Sequence, residues 1–293
     1  MTYELTGTGV WSGALRYGDP GASAEAAAEL ESLGYSALWI PDVGGEVFAA
    51  VGNLMAATTT ATVATGILNL WMHSPAETAA GYTQLVGDYG RRFLMGIGVS
   101  HSVLIDMKEP GRYRHPLART EAYLDGLDGL DAELPTVPKE DRLLAALGPK
   151  MLDLAARKAA GTHPYNVMPE HSAAARAALG AGMLVAPEQA VILETDPAEA
   201  RAIARKFLDT YLNLPNYANN WFRYGFSPDD TLEGGTDRLI DALIAWGDVD
   251  TIAARVQAHR GAGADHVCVQ VLTGEAMGYG LAQLRELAPA LTQ

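Results

Sequence analysis

The segment FLMGIGVSHS (residues 93–102) joins an apolar run to two glycines and a serine–histidine–serine sequence. Glycines after a strand can hold a dinucleotide. The Rossmann motif for dinucleotide binding, however, needs a third glycine three positions after the second, followed by a helix. His101 stands at that position, and the following VLIDMKEPGRYRHP has no clean helical period. The pattern therefore argues against a dinucleotide loop. Because the pKa of a free histidine is about 6.5, His101 is a candidate general acid or base.

A second candidate site is the sequence LGPKM (residues 147–151). Proline at the first helical position pre-sets φ, so a helix is predicted to begin at Pro149. The amides of Gly148, Lys150 and Met151 would then be free at its N-terminus, where the helix dipole favours an anion, and Lys150 adds a positive charge. The pattern predicts phosphate binding, although Gly-Pro also begins helices for purely structural reasons.

Other reactive patterns are absent from the sequence. No histidine or cysteine pair has the spacing of metal ligands, and no G-x-S-x-G elbow occurs, so neither a metal site nor the commonest serine hydrolase site is predicted. Gly66 lies inside an apolar, β-rich run. A glycine there indicates a bulge, a close approach by a ligand or a gap in packing.

Apolar, β-rich segments alternate with Ala-, Leu- and Glu-rich helical segments along the whole chain. Eight strands are predicted, at 6–11, 37–42, 62–70, 93–98, 142–148, 161–167, 188–195 and 266–272. Helices are predicted at 23–34 with Ser23 as cap, 46–59, 74–90 with Ser74 as cap, 119–133, 149–160, 171–180, 196–212 with Asp196 as cap, 249–264 and 281–291.

This order of elements predicts an α/β fold, a (β/α)₈ TIM barrel formed by residues 1–293 as one domain. Several strands are apolar on both faces, as buried parallel strands are. A helical insertion, serving as a lid or a dimer element, is predicted between strands seven and eight at about 213–247. The alternative is a doubly wound sheet, but the first turn, WSGALRYGDPG, lacks the phosphate loop expected there.

The barrel prediction brings the candidate residues together, because active sites of such barrels form at the C-terminal ends of the strands. An apolar substrate pocket is expected from Trp71, His163 and Tyr165. The residues predicted at this rim are Ser12, Gly13, Asp42, Asn69, Trp71, Met72, His73, Ser100, His101, Gly148, His163 and Tyr165.

Composition limits the partners and the compartment. The net charge of −14 argues against nucleic acid, which is bound through Lys and Arg. Residues 91–119 nevertheless carry six basic and two acidic residues, which indicates either an anionic ligand nearby or a solvated loop. No apolar run reaches the roughly 20 residues of a membrane span, no secretory signal is visible, and one cysteine, Cys268, is present. These features predict a cytoplasmic protein without membrane partners.

The order of motifs resembles the bacterial-luciferase-like superfamily of flavin- and deazaflavin-dependent barrels. More narrowly, it resembles actinobacterial oxidoreductases that depend on coenzyme F420. The resemblance spans nearly the whole chain and is carried by LGYSALWIPD (33–42), ATGILNLWMHSPAETA (64–79), RRFLMGIGVSHS (91–102), LAALGPKMLDLAARKAAGTHPY (144–165) and AGADHVCVQVL (262–272).

The resemblance implies a non-proline cis peptide at Gly66–Ile67 beneath the cofactor ring, with Asp42 at the ring edge and Leu147–Gly148 at the cofactor phosphate. It implies a proton donor at His101, and the glycines of FLMGIG would let the cofactor approach. His73 is the second candidate acid or base and Asp42 the third. The cofactor contacts expected in full are Asp42, Gly66, Ile67, Asn69, Gly98, Val99, Ser100, Ala146, Leu147, Gly148, Lys150 and Met151.

The function implied is hydride transfer between F420 and a small carbonyl, alcohol or activated double bond. Val43 stands where sugar-phosphate-oxidising relatives often have histidine, which puts that activity in doubt. One alternative is an FMN-dependent monooxygenase of the same superfamily, and another is a barrel that binds a cofactor or a partner without catalysis. A small-molecule substrate and a homodimer are also expected from the resemblance.

Overall fold

Parallel strands form the sheet at the centre of the protein. The computed structural model describes residues 5–129, 135–275 and 277–292. The strands are β1 (Gly7–Trp11), β2 (Ala37–Ile40), β3 (Thr62–Thr65), β4 (Leu68–Asn69), β5 (Phe93–Gly98), β6 (Arg142–Leu144), β7 (Gly161–Thr162), β8 (Leu184–Val185), β9 (Glu188–Leu193), β10 (Ala245–Gly247) and β11 (His266–Val271).

The sheet closes into a barrel because β8 and β9 are consecutive parts of one extended segment. β8 pairs with β7, whereas β9 pairs with β11, which in turn pairs with β1. At the junction, the N–H groups of Ala186 and Glu188 donate to the carbonyl oxygens of Thr162 and Pro164. Every pair is parallel, so the predicted (β/α)₈ TIM barrel is confirmed.

The predicted third strand is divided into β3 and β4 by a backbone irregularity. The Gly66–Ile67 peptide bond between them is cis, as the resemblance implied. β3 pairs with β2 and β5, and β4 continues the pairing with β5 through Leu68 and Asn69. The irregularity lies just below the C-terminal end of this strand.

The helices follow the strands and surround the barrel. They are α1 (Ala14–Tyr17), α2 (Pro20–Ser32), α3 (Val47–Ala57), α4 (Pro75–Tyr89), α5 (Ser102–Lys108), α6 (Pro116–Leu127), α7 (Pro149–Lys158), α8 (Pro169–Leu179), α9 (Pro197–Leu212), α10 (Pro215–Arg223), α11 (Asp237–Leu243), α12 (Val249–Gly261) and α13 (Leu281–Leu291), with 3₁₀ turns at Lys139–Asp141 and Pro228–Thr231. No helix among the described residues is long and apolar enough to span a membrane.

Two of the three predicted helix caps are present. Ser74 forms a capping box with Glu77 at the start of α4, and Asp196 caps α9. The prediction of Ser23 as a cap is wrong. Asp19 caps α2 from four residues earlier, because Pro20 fits the first helical position and the Asp19 side chain accepts the Ala22 N–H.

Two predicted segments differ from the structure. The segment after His101 forms the helix α5, where none was predicted, because Val103, Leu104 and Met107 face solvent and break the apolar period. The helix predicted at 119–133 is α6, which begins three residues earlier and ends at Leu127; residues 130–133 lie outside the described part of the chain.

The region predicted as a helical insertion contains α10 and α11. It also contains β10, whose three residues pair with 191–193 at the end of β9. β7 pairs with β6 and with β8, which precedes β9, so β7 does not reach this part of the sheet. A three-residue strand shows no readable period, so only the tertiary pairing reveals it. The predicted location of the insertion, between the seventh and eighth strands of the barrel, is confirmed by the order of the elements.

Candidate active site

Asp42 and His73 lie in contact at the ends of the second and third barrel strands. His73 Nε2 is 2.8 Å from Asp42 Oδ2, and the carboxylate also accepts the N–H groups of Asn69 and Gly44 at 3.1 and 3.2 Å. Burial acts to raise the pKa of Asp42, but the hydrogen bonds from His73 and Asn69 bring it below its usual value. Asp42 is therefore charged at neutral pH. It orients the His73 ring and leaves Nδ1 for a ligand.

The cis peptide at Gly66–Ile67 lies between side chains from two other strands. Trp11 Nε1, at the end of β1, donates to the Gly66 carbonyl oxygen at 2.9 Å. A Cβ atom at Gly66 would be 2.6 Å from Trp11 Nε1 and 2.7 Å from His163 Nε2. Only glycine fits at this position, because the indole and the imidazole occupy the space that a side chain would need.

His101 lies at the end of the fourth barrel strand and touches the insertion. Its Nδ1 is 3.1 Å from Asn216 Oδ1, and its ring packs on Tyr217 at 5.3 Å between centroids, both residues belonging to α10. Burial lowers the pKa of His101, partly offset by the hydrogen bond with Asn216. Because Oδ1 can only accept, Nδ1 carries the hydrogen and Nε2 holds a lone pair. His101 is thus an uncharged proton acceptor at neutral pH.

The predicted anion position at Gly148 lies at the start of α7, with Gly148 as its N-cap. The expectation of a free Met151 amide is wrong, because that N–H donates to the Gly148 carbonyl oxygen at 3.0 Å and tightens the first turn. The insertion supplies an unpredicted cation instead. A Cβ atom at Gly148 would be 3.6 Å from Arg223 Nη2.

Asn220 adds a second unpredicted group near this position. Its side chain is buried, its Oδ1 accepts from Arg223 Nη1 at 3.4 Å, and its Nδ2 has no partner among the described residues. An amide nitrogen buried without an acceptor costs about 1–3 kcal/mol, which an anionic oxygen would offset. Arg223 and Asn220 lie on one face of α10, three residues apart, and neither was found in the sequence because both belong to the insertion.

The glycines of the fourth strand are required by the packing of the strands themselves, whether or not a cofactor approaches them. A Cβ atom at Gly96 would overlap the carbonyl oxygen of Thr65, and one at Gly98 would be 2.7 Å from the Ile67 side chain. The adjacent third strand fills the space beside both glycines. Close packing of neighbouring strands around the cis peptide therefore explains them.

His163 is not part of an open pocket, which corrects its assignment to the substrate site. It is 1% exposed, stacks on Trp39 with ring centroids 4.2 Å apart, and its Nδ1 donates to the Ala186 carbonyl oxygen at 2.7 Å.

Trp71 is also largely buried. Its Nε1 donates to the Val99 carbonyl oxygen at 2.8 Å, so it ties the third strand to the fourth.

The remaining predicted cofactor contacts lie at the same end of the barrel. Lys150 is exposed, whereas Ala146 is buried with its carbonyl oxygen 3.3 Å from His171 Nε2. The partly exposed predicted contacts are Gly66, Ile67, Val99, Ser100, Leu147, Gly148 and Met151. Because all barrel strands are parallel, Asp42, Gly66, His101 and Gly148 face one mouth, as the sequence predicted.

A polar layer that the sequence did not reveal lies inside the barrel below this mouth. Tyr165 Oη donates to Gln270 Oε1 at 2.7 Å and lies 3.2 Å from Tyr211 Oη. Glu188 accepts the Asn166 N–H at 3.1 Å, and its other carboxyl oxygen has no partner among the described residues. Burial raises the pKa of Glu188 to about 8, so this carboxyl is largely protonated at neutral pH.

The mouth therefore combines a charged carboxylate with its histidine, an uncharged histidine, an arginine beside a helix N-terminus and a neutral polar floor. This set suits binding of an organic cofactor and transfer of one proton, and it sits where parallel barrels carry their active sites. The molecule is an α/β-barrel protein with an enzyme-like site. The family model for luciferase-like monooxygenases matches residues 5–266, and the chain belongs to that family, whose members are oxidoreductases and monooxygenases.

Solved structures with the same fold include enzymes that use two different cofactors. An F420-dependent secondary alcohol dehydrogenase, in complex with an F420–acetone adduct, has a TM-score of 0.74 at 15% identity over 98% of this chain and 99% of its own. The F420-dependent tetrahydromethanopterin reductase from Methanopyrus kandleri has a TM-score of 0.67 at 18% identity, over 98% and 99% of the two chains.

The FMN-bound oxygenating constituent of 3,6-diketocamphane monooxygenase from Pseudomonas putida has a TM-score of 0.68 at 12% identity, over 100% of this chain and 98% of its own. No curated protein sequence matches the chain. These likenesses show the fold, and both cofactor classes occur among the neighbours.

Proposed function

We propose that the protein transfers a hydride between coenzyme F420 and a small carbonyl compound, alcohol or activated double bond. The observation that carries the proposal is His101, a half-buried, uncharged histidine at the end of the fourth barrel strand, with Nδ1 held by Asn216. Hydride transfer to or from an oxygen-bearing carbon must be accompanied by one proton. The likeness to the F420-dependent secondary alcohol dehydrogenase supports the same assignment.

The residues at the mouth fit such a cofactor. Gly148 has no side chain beside Arg223 Nη2, and α7 begins there, so an anionic group would meet a cation and a helix N-terminus. The cis peptide at Gly66–Ile67 is partly exposed toward the mouth and would support the ring. When bound, the deazaflavin would supply the carbon that accepts or releases the hydride.

Three side chains handle the proton and the charge in this proposal. His101 takes the proton from an alcohol, or returns it to a carbonyl oxygen, through Nε2. The Asp42 carboxylate keeps His73 in one orientation, and His73 Nδ1 binds either the ring edge or the substrate. The α10 helix carries Asn216 against His101 and Arg223 toward Gly148, so it covers the mouth as a lid.

A side-by-side fluorescence titration with F420 and FMN tests the cofactor. We expect tight binding of F420 and weak binding of FMN, and the reverse order would instead assign a flavin monooxygenase. Turnover with reduced F420 and a panel of ketones and enones tests the reaction. Tight binding without any turnover would leave a cofactor-binding barrel that does not catalyse.

His101→Ala tests the proton-transfer assignment. General acid–base catalysis contributes about 10²–10⁴-fold, so the variant should lose well over tenfold in turnover while still binding the cofactor. Unchanged turnover would reject His101 and move the assignment to His73. Light scattering of the same preparations tests the proposed homodimer, and the ketone panel tests the proposed small-molecule substrate.

A further inference from the structure

A cavity of about 290 Å³ lies between α9 and the ends of β1 and β11. Its walls include the apolar side chains of Val10, Ile203 and Phe207, and Trp11 lies at its inner side. None of the pocket residues predicted from the sequence lines it. The volume suits a small organic molecule, since ligand pockets begin at about 300 Å³.

The inner end of this cavity is polar and backed by the interior of the barrel. Tyr211 and Gln270 line it, and both contact Tyr165, which lies deeper. Burial raises the pKa of Tyr211 to about 12, so its phenol is protonated. Because the hydrogen of Tyr165 goes to Gln270 Oε1, the hydrogen of Tyr211 goes to Tyr165 Oη and is not available to a ligand. Because Tyr165 already uses Gln270 Oε1, the amide NH₂ is the group that Gln270 can offer.

The inner end carries no charge at neutral pH. The tyrosines are protonated, and burial keeps the pKa of the nearby Glu188 near 8. Charged groups lie only at the outer rim, where Lys206 and Glu275 are exposed. A carboxylate or ammonium group at the inner end would lose its hydration without an opposite charge, which is costly. A neutral oxygen would instead accept the hydrogen bonds offered there.

Trp11 connects this cavity to the centre of the mouth. Its ring lines the cavity, and its Nε1 donates to the carbonyl oxygen of Gly66 in the cis peptide at 2.9 Å. A molecule in the cavity is therefore one side chain away from the backbone expected to support the cofactor ring.

We propose that this cavity binds the substrate, and that the substrate is a small neutral molecule with an apolar body and one carbonyl or hydroxyl oxygen that accepts from the amide NH₂ of Gln270. The role of the bound molecule as a hydride partner rests on the function proposed above. Its binding to the cavity does not, so the two can fail separately.

The test is ligand-observed saturation-transfer NMR on the full-length protein without added cofactor. The probes are cyclohexanone and the cyclohexanecarboxylate anion, which share a ring and differ in charge. We expect binding of the ketone and at least tenfold weaker binding of the anion. Equal binding of the two probes, or no binding of the ketone, would overturn the proposal.

Two variants locate the binding. Gln270→Leu removes one neutral hydrogen bond to the ligand at nearly constant volume, so the ketone should bind about three- to tenfold more weakly. Ile203→Trp fills the cavity and should abolish binding. The matched control is Ala202→Trp, which places the same ring on the neighbouring, exposed position of α9. Ketone binding that survives Ile203→Trp would place the ketone elsewhere and refute the cavity.

The same variants separate this proposal from the proposed function. F420 affinity should be unchanged in Ile203→Trp, and in Gln270→Leu turnover should show a raised KM with a smaller change in kcat. A protein that binds cyclohexanone in the cavity but does not bind F420 would refute the proposed function and retain the pocket. If the protein reduces ketones with F420 and Ile203→Trp has no effect, the pocket is refuted and the proposed function is retained.

Discussion

Replacing Glu188 by glutamine should make the stability of the protein less sensitive to alkaline pH. Glu188 is 0% exposed inside the barrel, and burial raises its pKa from 4.5 to about 8, an effect that the hydrogen bond from the Asn166 N–H only partly offsets. The folded state therefore holds a proton that the unfolded chain has already released above about pH 4.5. The stability associated with this proton is complete below that pH and is lost as the pH rises through about 8.

The size of the effect follows from the two pKa values. Each pH unit between them reduces the free energy of unfolding by about 1.4 kcal/mol, so the full loss approaches about 5 kcal/mol, of which about 4 kcal/mol falls between pH 5 and pH 9. Glutamine keeps an acceptor for the Asn166 N–H but has no proton to release. We expect the difference in stability between Glu188→Gln and the wild type to shift in favour of the variant by about this amount between pH 5 and pH 9.

Urea unfolding of both proteins across that pH range is the assay, because a difference between two proteins cancels the titration of every other group. Glu286→Gln, which removes an exposed carboxyl from α13, is the control for loss of a charge and should follow the wild type. If the difference between Glu188→Gln and the wild type does not change with pH, the carboxyl is not protonated in the folded barrel. The neutral inner end assigned to the cavity would then be wrong as well.

Three further predictions concern the acid limb, the carboxylate at the mouth and the anion position. Burial lowers the pKa of four histidines to about 3–4, namely His163, His171, His259 and His266. The free energy of unfolding that is present above about pH 6.5 should therefore fall as the pH drops toward 4. A guanidinium concentration at the midpoint of unfolding that stays constant over that range would contradict this. Asp42→Ala removes the acceptor of three hydrogen bonds and should lower the free energy of unfolding, measured by urea titration, by about 3 kcal/mol. A loss below about 1 kcal/mol would show that water takes the place of the carboxylate. Arg223→Ala should weaken cofactor binding about tenfold by fluorescence, while the phosphate-free fragment of the cofactor should bind equally to both proteins.

Several features of the site could be predicted because they depend on strand order alone. Once the alternation of strands and helices indicates a parallel barrel, the strand ends must share one mouth, and Asp42, Gly66, His101 and Gly148 are placed together. The cis peptide was implied only by the resemblance, and the structure contains it. The contact between His73 and Asp42 joins residues 31 positions apart, so the two candidates were found but not their pairing.

The errors of interpretation concern residues whose neighbours come from distant segments. What lies beside Gly96 and Gly98 could not be predicted, because a glycine does not show its neighbours in the sequence, and here the neighbour is the third strand. His163 was assigned to the substrate pocket, although the pleat of its strand turns it onto Trp39 in the interior. Arg223 and Asn220 were missed because nothing local indicates that α10 folds back over the mouth.

The sequence by itself determined most of the helices, the caps Ser74 and Asp196, the apolar strands and, through their alternation, a parallel barrel. These depend on contacts within a few residues and on the side-chain periods of helix and strand. Only the tertiary structure decided which polar groups are buried together, such as Glu188 beneath Tyr165, and which space remains open between α9 and the barrel. Burial and charge at a point are summed over segments far apart in the chain, so they exist only once the barrel has closed.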